Sequence, residues 1–263
     1  TLTGENYWSI DQEVRKIFDV NPDVKYIFRC LDYNMILKNK TDYNYDNVPT
    51  YLYDDNPFND VQYIFNKDVL LDDTLEVIKY NLQGRKTIDM DEYSEWGTLY
   101  PSGREAVLRN YKTPKKKAAV QKEFSEKDAQ NVRENVEKNV LEMVKAHPDT
   151  TFYFYTPPYS VVWWYARQCS GNLLRYFEAE KLQAEMLLAY DNVKLYSFAD
   201  MFDLTQDLDN YKDDKHYNAE ISEKIIDWIY DGTGLITKEN YEERISKMEE
   251  FYLNQVSESS FSE

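Results

Sequence analysis

The chain has 263 residues with 31 basic and 48 acidic side chains, a net charge of −17, and an aromatic set of 24 Tyr, 12 Phe and 5 Trp. That is enough for one large domain or two small ones, and so many aromatics exclude a mainly disordered chain. The negative balance repels phosphate backbones, which argues against a nucleic-acid partner. Two cysteines exclude a disulfide-dense scaffold or a multi-Cys zinc module, and no apolar run approaches the length of a membrane span.

The chain opens with Thr1 rather than Met, and Thr1-Leu2-Thr3-Gly4 reads as the end of a strand running into a turn. The expectation is that the sequence begins inside a domain, with no signal peptide visible. Ser9-Ile10-Asp11-Gln12 has the form of a capping box, and Ile10, Val14, Ile17 and Phe18 follow at helical spacing until Asn21-Pro22-Asp23. Residues 24–31 are β-branched and aromatic and read as a strand ended by Asp32-Tyr33-Asn34.

Residues 38–60 are polar and rich in Asn, Asp and Tyr, with Asx turns expected at Asp54-Asp55-Asn56-Pro57 and Asn59-Asp60. Asp73 is placed to cap a helix carrying Leu75, Ile78 and Leu82, with Gly84 as its stop. Residues 85–118 show no period, and Lys115-Lys116-Lys117 reads as solvated surface. Ser125, with Asp128 three residues on, caps a helix whose stripe is Val132, Val136, Val140, Met143 and Val144.

A second strand is expected at 151–156 and a third at 192–198, separated by a helix from Leu173 to Ala189. Ile221, Ile225, Trp228 and Ile229 predict a helix stopped near Gly232. Tyr241, Ile245, Met248 and Tyr252 predict a last one, and Ser257 to Glu263 is expected to fray. The alternation of strands and helices predicts an α/β fold with a parallel sheet. We expect a single domain over 1–263, with an inserted cap at about 38–120 and a C-terminal helical extension at about 236–256. A cap in that place would lie above the C-terminal edge of the sheet, where α/β ligands bind.

Two histidines are candidates for chemistry. His147, before Pro148 at a helix end, fits a capping and dipole role. His216 lies in Asp213-Asp214-Lys215-His216-Tyr217, after the last strand and before a helix. A carboxylate three residues earlier can take the Nδ1 proton of an imidazole across a turn and leave Nε2 as a general base. The bland alternative is an acidic helix entry with an incidental histidine.

Residues 210–218 resemble the last motif block of SGNH/GDSL hydrolases, in which Asp and His three apart complete a Ser-His-Asp triad. The resemblance is nearest to bacterial members acting in surface-polysaccharide acylation, and it covers most of residues 1–230. It implies a flavodoxin-like three-layer sheet with strand order 2-1-3-4-5 and helices on both faces. The stretches at 24–31, 151–156 and 193–198 would be its third, fourth and fifth strands, with the first lacking and nearly all of the second. It suggests Asp213 and His216 as catalytic, and Asn34 and Gly4 as oxyanion donors. Tyr51 to Asp60 and Thr156-Pro157-Pro158-Tyr159-Ser160 look like segments of a clostridial-type subgroup.

The chain departs from that pattern at the nucleophile. The family's serine lies in a first motif absent here, and no Ser has Gly on both sides at two residues' distance. Ser160 and Ser170 are weak substitutes. The expectation is an esterase- or O-acyltransferase-type domain for an acylated carbohydrate or small ester, inactive without an upstream nucleophile. Such a parent would lie outside the cytoplasm on an upstream tether, and this chain would either pair with a second copy through its exposed third-strand edge or be poorly soluble. No metal or cofactor is expected, because Asp89 to Tyr100 lacks the Gly and Glu of a calcium loop and Gly232-Thr233-Gly234 follows a helix. Cys30 and Cys169 could be a disulfide in an exported protein or two buried thiols. The rival expectation is a non-catalytic glycan-binding or interaction module built on Trp96, Trp163 and Trp164.

Overall fold

The computed structural model describes residues 6–41, 50–85, 100–112, 114 and 117–261. The chain divides into two compact units, one spanning Tyr43–Leu99 together with Thr1–Gly4, the other Glu5–Asp42 with Tyr100–Glu263.

The larger unit is built on a four-stranded sheet in the order β1-β2-β3-β4. Strands β1 (Tyr26–Cys30), β2 (Thr151–Thr156) and β3 (Val193–Ser197) are parallel, and β4 (Leu235–Ile236) closes antiparallel on β3. The three expected strands thus stand side by side in chain order, with a fourth, too short to leave a period, added at one edge.

Alternation along the strands assigns two faces. Ile27, Phe152, Phe154, Val193 and Leu195 lie on one, under helices α1 (Tyr7–Val20), α6 (Glu126–Val136), α7 (Glu142–Ala146) and α9 (Leu173–Leu187). Tyr196 and Phe198 lie with the other, under Ile221, Ile225 and Ile229 of α11 (Ala219–Asp231). A third cluster joins α8 (Val161–Cys169) to α12 (Tyr241–Glu250) through Trp163, Trp164, Phe177 and Tyr252. The molecule is therefore mixed α/β with helices on both faces of a mainly parallel sheet.

Several element ends differ from expectation for local reasons. Helix α1 starts one turn earlier than the Ser9 box predicts, because the Asn6 side chain accepts the Ser9 N–H and takes the cap itself. Ser125 and Asp128 do form the reciprocal box at α6. Between α6 and α7 the helix widens into a π-helical stretch, Glu137–Leu141. Gly232 ends α11 with φ +77°, and Gly234, at φ +84°, is required because a Cβ there would meet Phe198 at 2.7 Å. The stretch at 85–118, which has no period, contains the helix α5 (Arg104–Asn110). The tail does not fray as far as Phe261, whose ring is 1% exposed against Tyr111 and Tyr165.

In the smaller unit, α3 (Val61–Ile64) is followed by a π-helical stretch, Asp68–Asp73, that runs straight into α4 (Thr74–Leu82). Asp73 is therefore inside a continuous helix and makes no side-chain cap, while Gly84 turns the chain at φ +64°. The first expected Asx turn is present, since Asp54 accepts the Asn56 N–H and Asn56 accepts the Phe58 N–H, whereas Asn59 Oδ1 accepts no hydrogen bond among the described residues and the turn expected at Asn59-Asp60 is not made.

Candidate functional site

Parallel strands bring their C-terminal ends to one side of a sheet, and the loops that follow them converge there. After β1 the chain makes a helical turn, α2 (Tyr33–Ile36), capped by Asp32, whose Oδ1 accepts the Asn34 N–H at 2.6 Å. After β2 comes Pro157-Pro158-Tyr159-Ser160 and the start of α8. After β3, beyond α10 (Phe202–Gln206), comes the Asp-x-x-His segment.

That segment is a closed loop. Tyr211 and Tyr217 form an antiparallel bridge, the Lys212 N–H donates to the His216 carbonyl at 2.8 Å, and Asn218 then caps α11. Inside the loop both Asp213 oxygens are used. Oδ1 accepts the backbone N–H groups of Lys215 and His216 at 2.9 and 2.8 Å, and Oδ2 lies 2.6 Å from His216 Nδ1. Burial pushes the Asp213 carboxyl up, but the imidazole and the two amides more than offset it and hold it at about 2. An ionised carboxylate only accepts, so Nδ1 carries a proton, and in the neutral ring Nε2 is the nitrogen with the lone pair. The structure brings the two expected residues together in the expected sense.

Asn34 stands at the same end of the sheet. Its Nδ2 donates to the Tyr159 hydroxyl at 3.3 Å, and that hydroxyl donates to Asp32 Oδ2 at 2.7 Å, making a three-residue knot. Burial, then the charge of Asp32, pushes the Tyr159 phenol far above its ordinary value, so it stays a neutral donor. Tyr155 of β2 interacts with Tyr217 of the loop, and Cys30 of β1 lies beside Tyr155. Gly4 lies outside the described residues, and so does Trp96.

Neither expected stand-in for the nucleophile is free. Ser160 is fully buried, and its hydroxyl donates to the Asp214 carbonyl at 2.6 Å, so it is a strut under the His loop. Ser170 donates to the Arg167 carbonyl at the end of α8. Cys30 and Cys169 are both thiols. Burial, reinforced by Asp32, pushes the Cys30 thiol well up, which removes it as a nucleophile. A cavity of about 260 Å³ adjoins the loop, lined by Val107, Tyr111, Lys112, Ala166, Asp213 and Asp214.

Three further placements correct or extend the expectations. Trp163 and Trp164 are 1% and 0% exposed, so they are core and cannot present a glycan-stacking surface. His147 does end its helix, but its ring stacks on Phe18 at 3.6 Å, and burial lowers its basicity, which suits packing and not a dipole-capping cation. Sequence reasoning missed Glu180, which accepts the Tyr33 hydroxyl at 2.8 Å under the sheet end. Its signal was available: Leu173, Phe177, Glu180, Ala184 and Leu187 share one helical stripe, and only one of them is an acid.

Among the described residues no group of three or more His, Cys, Asp or Glu is placed to hold a metal ion, and no helix is long and apolar enough to cross a membrane. Compared with known protein families, with characterised proteins and with solved structures, the chain matches none.

Proposed function

We propose that the larger unit is an SGNH-hydrolase-like, flavodoxin-like domain whose Asp213–His216 pair is the acid–base half of an acyl-transfer site. One observation carries this: the Asp213 carboxylate is held ionised by the backbone amides of Lys215 and His216 at 2.9 and 2.8 Å and by His216 Nδ1 at 2.6 Å, at the end of a parallel sheet where loops converge. Held so, the imidazole can take a proton from an attacking hydroxyl at Nε2 and return it to the leaving group. Asn34, within this unit, is the proposed oxyanion donor, and Gly4, the other expected one, lies outside the described residues.

The substrate class is an acylated carbohydrate or other surface polymer, or a small ester, acted on outside the cytoplasm. Ser160 and Ser170 donate their hydroxyls to backbone carbonyls and burial raises the Cys30 thiol, so none of the three is proposed as the nucleophile. The test uses the polypeptide as its natural source makes it, with p-nitrophenyl acetate as probe. Ester hydrolysis that falls by roughly 10³-fold or more in His216→Ala supports the proposal. Equal rates in the two proteins overturn it.

The same proposal includes a homodimer through β1. Among the described residues no strand pairs with its outer edge, and Tyr26 and Phe28 beside it are 64% and 51% exposed. A second copy is the proposed occupant. Sedimentation velocity should show a dimer that Phe28→Lys returns to monomer. A wild-type monomer at every concentration would remove the dimer from the proposal.

A further inference from the structure

Ser160 stands at the N-cap position of α8, with extended backbone at φ −65° and ψ 157°. A cap residue normally turns its side-chain oxygen to an amide of the first helical turn, as Ser125 does at α6 and Asn218 at α11. Ser160 makes no such bond. Its hydroxyl faces the other way and donates to the Asp214 carbonyl at 2.6 Å, and its own N–H donates to the same oxygen at 3.2 Å. A fully buried hydroxyl has thus given up its own helix in favour of the His loop.

The oxygen it holds belongs to the peptide unit between Asp214 and Lys215. A trans peptide is planar, so its carbonyl and its N–H point in opposite directions. That N–H is the Lys215 amide that donates to Asp213 Oδ1 at 2.9 Å, and Asp213 Oδ2 lies 2.6 Å from His216 Nδ1. One rigid plane therefore has Ser160 at one end and the carboxylate that orients the imidazole at the other. Fixing the carbonyl fixes the direction of the N–H, and a donor on the carbonyl polarises the unit and strengthens that N–H. The rest of the loop is tied elsewhere. Tyr211 is completely buried, its hydroxyl donates to the Pro158 carbonyl at 2.6 Å, and it is bridged to Tyr217. Those bonds close the base of the loop without touching the 214–215 plane.

We propose that Ser160 is a positioning residue for His216, acting through the 214–215 peptide plane and the Asp213 carboxylate to keep the proton of the neutral imidazole on Nδ1. It aims the carboxylate, whereas Tyr211 only closes the loop. The inference rests on the acyl-transfer proposal solely for what His216 does there, because a tautomer can be read in a protein with no activity at all.

The test reads the His216 ring nitrogens by nitrogen-15 NMR, through the carbon-bound ring protons, at a pH where the ring is neutral. His147, stacked on Phe18, is the internal reference and should not change. The wild type should show the Nδ1–H form, since the tautomer follows the bond the ring makes. Ser160→Ala should raise the Nε2–H form several-fold, and Tyr211→Phe should leave the ring as in the wild type. An unchanged ring in Ser160→Ala overturns the proposal. So does an equal change in Tyr211→Phe, which assigns the effect to general loosening of the loop. Should Ser160→Ala fail to fold, the Lys215 amide of the wild type decides: slowed hydrogen exchange is expected, and an unprotected rate overturns the proposal. In the polypeptide as its natural source makes it, Ser160→Ala should lower kcat for p-nitrophenyl acetate by roughly 10²-fold with KM nearly unchanged. An esterase-negative protein whose tautomer answers to Ser160→Ala would sink the acyl-transfer proposal alone, and an active one whose tautomer and kcat both ignore it would sink the positioning role alone.

Discussion

Replacing Trp164 by Ala should cost about 4 kcal/mol of folding stability, and replacing it by Phe only about 1–2 kcal/mol. The indole is completely buried and is the hub of the third core cluster. It stacks on Phe177 and Tyr252, with centroids at 5.3 and 4.9 Å, and meets Tyr33 and Trp163 edge-on at 4.8 Å each. Alanine would open a void among rigid rings from α8, α9 and the segment after α12, which cannot collapse onto it without moving a helix. Phenylalanine keeps a ring in the stack. Trp164 Nε1 has no hydrogen-bond partner among the described residues, so Phe forfeits no polar contact. Urea midpoints of the three proteins check this. An Ala cost under about 1.5 kcal/mol, or a Phe cost equal to it, would mean the cluster is not the packed hub its ring distances describe.

The elements that were legible in sequence are those whose cause is local. The Ser125–Asp128 box, the Gly232 stop and the strand at 151–156 each need only their own residues, and each is where expected. Asp213 and His216 were legible for the same reason. A turn between them suffices, and the turn is tied by Asp213's own bonds to the Lys215 and His216 amides. Helix α5 was not legible because its start is fixed from far along the chain. The Gly103 N–H donates to the Tyr211 carbonyl, the Arg104 N–H to Asp209, and the Arg104 guanidinium to the Phe261 carbonyl. Phe261 in turn is buried by Tyr111 and Tyr165, which no pattern in the tail could disclose.

The site shows the same division. The Asn34–Tyr159 bond spans 125 residues and the Ser160–Asp214 strut 54, so sequence could propose Asn34 and Ser160 but not say what would occupy them. Ser160, considered as a nucleophile, instead supports the loop that carries His216. The aromatic residues were legible as material for a core but not as to which would be buried. Trp163 and Trp164 went inside, while Tyr26 and Phe28 of β1 remained on the exposed side of their strand.

That inversion in β1 leads to the second large effect, because the side chain that points inward is an arginine. Arg29 is 6% exposed beside Ile27 on the covered face, and its Nη1 and Nη2 donate to the carbonyls of Asn139 and Tyr7 at 2.8 and 3.1 Å. The guanidinium also lies over the Tyr7 ring, 5.3 Å from its centroid. Burial lowers it to about 10, with Tyr7 and then Asp11 working against that, so it remains a cation at neutral pH. Asn139 belongs to the π-helical stretch, where the widened turn offers a carbonyl to an outside donor. Arg29 thus fastens α1 and that stretch to the edge strand. Arg29→Ala should cost about 3–5 kcal/mol, since it leaves two buried carbonyls without their donor and a void beneath α1. Arg29→Met refills the void and removes the burial of a charge, so its cost should be only about 1–2 kcal/mol. In both variants hydrogen exchange should quicken first in α1, before the β2–β3 pair. A loss under about 1 kcal/mol for Arg29→Ala would show that the guanidinium's burial cancels its bonds, and that α1 is held by Val14 and Phe18 alone.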